Sequence, residues 1–151
     1  MRPAFEQCLA VSKGEAWCAL LMGGVGNGKT FLAIAALQAW FSRWGTGEMW
    51  KVPDFLDWLR RTAFGGNGSP ELEELLRPYR QAPHLLVMDD LGVENRTDWA
   101  CEQLYRVLDA RYEYRLPTII TTNLGPNGVD ARLFSRYRQG LVICRSDDAR
   151  P

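Results

Sequence analysis

Histidine is almost absent from this sequence, which has only His84 among its 151 residues. A zinc centre or a Ser-His-Asp triad would need that histidine to have nearby partners. Because His84 follows a proline and precedes an apolar run, we expect it at the edge of a strand. Zinc chemistry and histidine-dependent nucleophilic catalysis are therefore disfavoured.

Paired cysteine motifs are also lacking, because none of the four cysteines belongs to a C-x-x-C pattern. They stand in apolar surroundings, such as the stretches W-C-A-L and V-I-C. This placement predicts buried, reduced thiols. The residues are Cys8, Cys18, Cys101 and Cys144.

Long apolar runs are missing, and none approaches the ~20 residues that a bilayer-spanning helix needs. The first seven residues also lack the hydrophobic core of a secretory signal. The 46% hydrophobic and 24% charged fractions are ordinary for a folded domain and exclude collagen-like and disordered classes. We therefore expect a cytoplasmic protein without a membrane partner.

The sequence has no excess of charge, because 18 basic residues balance 18 acidic ones. No overall electrostatic field therefore indicates a polyanionic partner. Arginine is nevertheless concentrated near the end of the chain, where it either faces a phosphate-rich partner or forms a solvated basic surface. The arginines of the last 20 residues are Arg132, Arg136, Arg138, Arg145 and Arg150.

Apolar runs of strand length alternate with helical patterns along the chain. The runs cover residues 17–22, 48–52, 85–90, 117–122 and 141–144. Helical patterns cover residues 4–11, 29–43, 70–79, 97–114 and 130–137, and another begins at Pro53. Unbroken apolar runs suit strands covered on both faces, and strands that alternate with helices pair in parallel. We therefore predict an α/β fold with a five-stranded parallel sheet flanked by helices, in a single domain spanning residues 1–151.

A glycine-rich segment between the first strand and the next helix carries the pattern G-x-x-x-x-G-K-[ST]. Glycines let backbone N–H groups approach phosphate oxygens, and the following helix N-terminus favours negative charge. We expect a partly exposed Lys29 to reach the β- and γ-phosphates of ATP, and Thr30 to bind Mg²⁺. The predicted nucleotide-binding residues are Gly23, Gly24, Val25, Gly26, Asn27, Gly28, Lys29 and Thr30.

Two adjacent carboxylates, Asp89 and Asp90, follow the apolar run that begins at residue 85. They lie at the carboxyl end of a predicted strand, where open α/β sheets bind their ligands. Neighbouring side chains at a strand end point in different directions, so we expect different roles for them. Asp89 would orient the Mg²⁺ shell, and Asp90 would polarise the attacking water. This is the pattern of a Walker B motif.

Together these motifs resemble the AAA+ P-loop ATPases, and within them the DnaC and DnaI helicase loaders and the related IstB transposition ATPases. The resemblance covers nearly the whole chain. Besides the two motifs, it rests on the segments T-D-W-A, R-Y, P-T-I-I-T-T-N-L and R-L-F-S-R-Y at residues 97–100, 111–112, 117–124 and 132–137. It implies an AAA+ core that binds ATP or ADP with Mg²⁺.

The resemblance also assigns roles to three further residues. Asn123 looks like the sensor residue that contacts the γ-phosphate or its attacking water, although an asparagine after a strand is also a common turn residue. Arg136 looks like the arginine finger that reaches a neighbouring subunit's nucleotide, with Arg132 one helical turn earlier as its helper. The alternative is a solvated arginine pair on an exposed helix.

Two features depart from the family pattern. The usual Walker B motif ends in Asp-Glu, but Asp90 is one methylene shorter, which predicts slow hydrolysis. The chain also ends shortly after the fifth predicted strand, so we expect no C-terminal helical lid domain.

Family members carry an upstream domain that binds the replicative helicase, whereas this chain begins almost at the ATPase core. It is either part of a longer protein or a minimal ATPase that docks by another surface.

The expected function is that of a DnaC-like helicase loader: a Mg-dependent ATPase, slow and stimulated by assembly or DNA, that acts in replication. Its expected partners are a replicative helicase, single-stranded DNA and further copies of itself through Arg136. The alternatives are an IstB-like transposition helper, a nucleotide-gated oligomeric binding module with little turnover, and a small-molecule P-loop kinase. Arg60, Arg61 and the loop at residues 65–70, with Trp58 and Phe64 as stacking groups, have the character of a DNA-contacting segment.

Overall fold

The computed structural model describes residues 1–63, 71–92, 94 and 98–145. The strands of this described part are β1 (Cys18–Met22), β2 (Gly47–Lys51), β3 (Leu85–Leu91), β4 (Thr118–Thr122) and β5 (Leu141–Ile143). Its helices are α1 (Arg2–Ser12), α2 (Lys29–Trp44), α3 (Val52–Ala63), α4 (Leu72–Gln81), α5 (Trp99–Glu113) and α6 (Ala131–Tyr137). A 3-10 turn (Arg138–Gly140) leads into β5.

The strands form one parallel sheet in the order β2-β3-β4-β1-β5. Strands β1 and β4 are buried along their whole length, which explains their unbroken apolar or β-branched sequences. The predicted α/β class and five-stranded parallel sheet are confirmed. Each predicted strand end lies within one residue of the observed one: Trp17 precedes β1, Val52 begins α3, and Cys144 follows β5.

Helices cover both faces of the sheet. Successive strand residues point to opposite faces, so Leu21 packs with α1 and α2 while Leu20 packs with the remaining helices. Both side chains have no measurable exposure. The two hydrophobic layers hold the sheet rigid and leave the carboxyl ends of its strands as the edge where loops and helix N-termini meet.

The limits of α5 follow from its cap. The Asp98 carboxylate accepts a hydrogen bond from the backbone N–H of Ala100 at 3.1 Å, which satisfies a donor of the first turn. Asp98 is therefore the cap of α5, and the helix begins at Trp99. Thr97 lies outside the described residues.

At the amino ends of the strands, α5 is fixed to the sheet by a buried arginine. The Arg111 guanidinium has no measurable exposure. It donates to the backbone carbonyl oxygens of Tyr79, His84 and Pro117 at 2.7–2.8 Å and to the Thr118 hydroxyl at 3.0 Å. Burial lowers the pKa of Arg111 to about 10. This one side chain joins α5 to the end of α4 and to the starts of β3 and β4.

The predictions for the cysteines and for the single histidine are confirmed. All four cysteines are buried and belong to no disulfide, as predicted. His84 lies directly before β3, at the strand edge, and burial lowers its pKa. None of the described helices combines the length and the apolar character that crossing a membrane requires.

Candidate nucleotide site

The segment at residues 23–30, here called the phosphate loop, connects the carboxyl end of β1 to the start of α2. Gly23 has φ 149°, and a Cβ built on it would lie 2.0 Å from the Cys144 carbonyl oxygen, so only glycine fits. Gly28 caps α2 in the left-handed conformation at φ 78°. The loop therefore holds its backbone against β5 and presents the amino end of α2, the arrangement that binds anions.

Lys29 is buried, contrary to the expectation of a partly exposed side chain. It is 6% exposed, and its ammonium donates to the carbonyl oxygens of Gly23 at 2.8 Å and Gly24 at 2.7 Å, and to Asn27 Oδ1 at 2.7 Å. An ammonium has three donors, so the loop's own acceptors use all of them and draw the side chain inward. Burial lowers the pKa of Lys29, while the nearby acidic groups of Cys144, Asp89 and Asp90 oppose this change.

Asn27 has a structural role that the sequence pattern does not reveal. Its side chain is 2% exposed. It accepts from Lys29 through Oδ1 and donates through Nδ2 to the Cys144 carbonyl oxygen at 2.8 Å. The amide thus connects the lysine of the phosphate loop to the residue at which the chain leaves β5.

Asp89 lies at the centre of a hydroxyl cluster that joins the phosphate loop to the sheet. Its Oδ1 accepts from Thr30 Oγ1 at 2.9 Å and from Thr121 Oγ1 at 2.6 Å. The same Thr121 hydroxyl accepts a hydrogen bond from the Asp90 backbone N–H at 2.9 Å. Thr121 was not among the predicted site residues, although the change from isoleucine to threonine at the end of its strand is a signal for it.

The donor set of this cluster fits Mg²⁺, which prefers oxygen ligands and commonly uses only one or two protein groups besides phosphate oxygens and water. Thr30 Oγ1 and the Asp89 carboxylate are within hydrogen-bond distance of each other beside the phosphate loop. These two residues are therefore the ones that would hold the ion. Elsewhere in the described ranges, no group of three or more His, Cys, Asp or Glu side chains could hold a metal.

Asp90 turns away from Asp89 because its backbone is left-handed. Its φ is 62°, a conformation that is uncommon outside glycine, and the pairing of β3 with β4 shifts register between Met88 and Leu91. The side chain is exposed, and its carboxylate accepts from Asn123 Nδ2 at 3.4 Å. The structure therefore gives the two carboxylates different surroundings and brings Asn123 beside the second one.

These residues share one open pocket of about 340 Å³. The phosphate loop forms one wall, and the carboxyl ends of β2, β3 and β4 form the floor. Lys51, on the floor of the pocket, was not predicted from the sequence, because a lysine at the end of a short strand has no distinctive pattern. The lining residues are Val25, Gly26, Asn27, Gly28, Lys29, Thr30, Lys51, Asp89, Asp90, Thr121 and Asn123.

Arg132 and Arg136 lie elsewhere, on α6, and line a separate cavity of about 430 Å³ between α5 and α6. Arg136 forms an ion pair with Asp109 of α5, and its guanidinium carbon lies 5.7 Å from the centre of the Tyr112 ring. Arg132 lies 3.7 Å from the Asp130 carboxylate. Within one chain the structure thus does not bring these arginines to the nucleotide pocket.

Part of the predicted DNA-contacting segment lies within the described residues. Trp58 packs against Trp50, Phe55 and Tyr79 with ring centroids 5.3–5.8 Å apart, which favours core packing over base stacking for this side chain. Arg60 forms ion pairs with Asp57 and Asp98. Phe64 and the loop at residues 65–70 lie outside the described residues, as does Arg150.

Similar proteins were found by sequence and by structure. A DnaI replicative helicase loader from Bacillus subtilis is 30% identical over 108 residues, which are 71% of this chain and 33% of that protein. An ATP-binding protein of a Mycobacterium tuberculosis insertion sequence is 31% identical over 108 residues, 72% of this chain and 41% of that protein. The chain therefore spans about a third to two fifths of these relatives.

Comparison of the fold with solved structures finds similar proteins of the same kind. The crystal structure of a DnaC helicase loader superposes with a TM-score of 0.69 at 26% identity, covering 85% of this chain and 77% of that one. The family model of IstB-like ATP-binding proteins matches residues 12–133, which include the phosphate loop, both carboxylates and Asn123. The resemblance to AAA+ ATPases of the helicase-loader and IstB group is confirmed, and the chain belongs to the family of IstB-like ATP-binding proteins.

Proposed function

We propose that this chain is a single ATPase domain that binds Mg-ATP in the pocket beside the phosphate loop, hydrolyses it slowly, and acts as a DnaC-like helicase loader in replication. One oxygen of Asp89 accepts hydrogen bonds from the hydroxyl groups of both Thr30 and Thr121. This observation carries the proposal. This contact joins the loop, β3 and β4 into one oxygen-lined corner. That corner is where the terminal phosphates of a bound triphosphate and their metal ion belong.

The chemistry follows from the positions of the side chains. The N–H groups at the start of α2 and Lys29 bind the phosphates, and Thr30 and Asp89 hold Mg²⁺. When bound, the ion neutralises the charge that develops on the transferred phosphoryl group. Asp90 then polarises the attacking water, and the neighbouring amide of Asn123 orients that water against the γ-phosphate.

Two properties of the site support slow hydrolysis. The Asp90 side chain is shorter than the glutamate that usually follows the first Walker B aspartate, so its carboxylate stands further from the water. The pocket is also open to solvent on the side facing away from the loop, because Asp90 and Asn123 are both exposed. We therefore propose that a second copy completes the site through Arg136, with Arg132 as its helper, and that assembly or single-stranded DNA raises turnover in the cytoplasm.

A second candidate function is that of an IstB-like transposition helper that engages a transposase and duplex DNA. The match to the IstB-like family model and the similarity to the insertion-sequence protein favour it. A nucleotide-gated oligomeric module with little turnover would use the same pocket, and the short Asp90 side chain is the feature that favours that variant.

The nucleotide site is tested by measuring Mg-ATP affinity and turnover for the wild type and for Lys29→Ala, with far-UV circular dichroism on both. We expect the variant to lose binding and to stay folded, because removal of the side chain leaves the loop's backbone contacts to β5 in place. Unchanged Mg-ATP affinity in the folded variant would contradict the site.

The partner is tested separately, by capture of a purified replicative helicase or a purified transposase on the immobilised chain with ATP. Turnover is measured in parallel with single-stranded and with duplex DNA. Helicase capture and stimulation by single strands support the loader. Transposase capture and stimulation by duplex DNA support the transposition helper.

A further inference from the structure

Lysine is scarce in this chain, and its distribution is uneven. Of the 18 basic residues, 15 are arginines and only Lys13, Lys29 and Lys51 are lysines. Two of the three line the nucleotide pocket. Lys29 is accounted for by the phosphate loop, whereas Lys51 belongs to no motif.

Lys51 is an available cation. It is the last residue of β2, its side chain is exposed, and it forms no ion pair with any residue of the part of the chain that the structure describes. Arg106, which is also exposed, is in contrast held by a carboxylate, as are the partly buried Arg60 and Arg136. The ammonium of Lys51 can therefore approach an anion without first breaking a contact within the protein.

The register of the sheet fixes where this cation lies. Lys51 pairs with Asp89 across the parallel β2–β3 ladder, so their side chains leave the same face of the sheet on neighbouring strands. Neighbouring strands are ~4.8 Å apart. Lys51 is thus next to the proposed metal ligand, on the side of β3 opposite to β4.

The order of the strands determines which phosphate of a bound nucleotide lies near Lys51. The phosphate loop follows β1, and β4 and β3 separate β1 from β2, so Lys51 stands about three strand spacings, or ~14 Å, from the loop's strand. A phosphate chain anchored in the loop extends toward the Asp89 corner with its terminal group foremost. Only that terminal group comes near a cation on the far side of β3.

We propose that Lys51 binds the γ-phosphate and makes the pocket distinguish ATP from ADP. This inference rests on the nucleotide site proposed above. The physical reason is charge: Asp89 and Asp90 face the terminal phosphate with two negative groups, and a cation on their outer side offsets the repulsion that the extra phosphate of ATP meets. ADP ends before this position and does not use the contact.

The experiment measures the dissociation constants of AMPPCP, a non-hydrolysable ATP analogue, and of ADP, both with Mg²⁺, by calorimetry. It compares the wild type with Lys51→Ala and Lys51→Arg, and with Lys13→Ala as the matched loss of a lysine outside the pocket. We expect Lys51→Ala to weaken AMPPCP binding ~10-fold, the effect of one charge-assisted hydrogen bond. The same variant should change ADP binding less than ~2-fold. Lys51→Arg should keep the preference for AMPPCP over ADP, because it keeps the positive charge. Lys13→Ala should bind both nucleotides as the wild type does.

The opposite outcomes contradict either the role of Lys51 alone or the nucleotide site as a whole. Equal weakening of both nucleotides by Lys51→Ala, or no weakening of either, would overturn the role of Lys51 and leave the nucleotide site intact. Failure of the folded wild type to bind either nucleotide would overturn the nucleotide site, and the role of Lys51 with it.

Discussion

Arg136 and Asp109 form an ion pair across the contact between α6 and α5, beside the ring of Tyr112. Their side chains are 33% and 46% exposed, so the pair is partly solvated and contributes ~1 kcal/mol or less to stability. The proposed finger is therefore held in a defined place in the free chain. The phosphates of a nucleotide bound to a neighbouring copy can still bind Arg136, because a partly solvated carboxylate holds the guanidinium only weakly.

The first prediction is that Arg136→Ala keeps ATP binding and loses the part of its turnover that rises with protein concentration. An arginine finger contributes ~10³-fold to related phosphoryl transfers, and Arg132→Ala should show a milder loss. Asp109→Asn is the matched control, because it frees Arg136 without removing it and should retain turnover. The measurement is ATPase rate against protein concentration.

Mixing the variants tests whether two chains share one site. Lys29→Ala cannot use ATP but keeps Arg136, whereas Arg136→Ala keeps its pocket. Activity in the mixture that exceeds the sum of the two supports a shared site. Wild-type turnover independent of concentration, together with an equally active Arg136→Ala, would leave Arg136 as an ordinary surface residue.

The second prediction separates the two carboxylates. Asp89→Asn should weaken nucleotide binding only in the presence of Mg²⁺, because Asp89 contacts Thr30 at the proposed metal position. Asp90→Asn should preserve binding and lower turnover, because the exposed Asp90 carboxylate contacts Asn123 rather than Thr30 or Thr121. Affinity measured with Mg²⁺ and with EDTA, alongside turnover, checks this, and identical behaviour of both variants would contradict the division of roles.

The third prediction concerns Thr121. Thr121→Val keeps the shape of the side chain but removes the donor to Asp89 and the acceptor for the Asp90 N–H. We expect turnover to fall ~10-fold, the effect of losing a hydrogen bond to a charged group. The control is Thr122→Val, because the Thr122 hydroxyl of the wild type bonds to Leu91 and Leu124 rather than to a carboxylate. A larger loss of turnover for Thr122→Val would contradict the assignment.

The fourth prediction is about stability. Arg111→Met removes a buried cation and takes one hydrogen-bond donor from each of three backbone carbonyl groups, of which that of Pro117 keeps its bond from the Leu86 N–H. We expect the free energy of unfolding to fall by ~3 kcal/mol or more. Nucleotide affinity of the folded fraction should not change, because these contacts lie at the opposite edge of the sheet from the pocket. Urea unfolding and calorimetry measure the two quantities.

The fifth prediction uses the buried thiols. Burial raises the pKa of both Cys8 and Cys18 to about 12. Thiolate is the reactive form, so these residues should resist iodoacetamide at pH 8 in the native protein and react after unfolding. Because their folded pKa is raised, the stability they contribute is complete below their unfolded pKa and decreases as the pH rises through it toward 12. Rapid labelling of native protein at pH 8 would contradict this.

The sequence predicts the architecture well because its signals are local. Unbroken apolar runs mark strands that helices cover on both faces, and the pattern of the phosphate loop includes the strand before it and the helix after it. In each case the information lies within a few residues of the feature.

Other parts of the site depend on contacts between residues far apart in the chain. Asn27 bonds to a carbonyl group 117 residues away, and Thr121 of β4 bonds to Asp89 on the neighbouring strand β3. Lys51 becomes part of the pocket only through the register of β2 on β3. The expected partial exposure of Lys29 is wrong, because the sequence pattern specifies a phosphate ligand and does not reveal the three acceptors that the loop itself offers to the lysine.

Those three acceptors have a thermodynamic consequence. Because every donor of Lys29 is already satisfied by Gly23, Gly24 and Asn27, a phosphate gains a bond from the ammonium only when another acceptor gives one up. Ligand entry is thus a substitution, in which the number of hydrogen bonds to this lysine stays constant. The net affinity of the loop for a phosphate therefore depends on how much better a charged phosphate oxygen accepts a hydrogen bond than a neutral amide oxygen does.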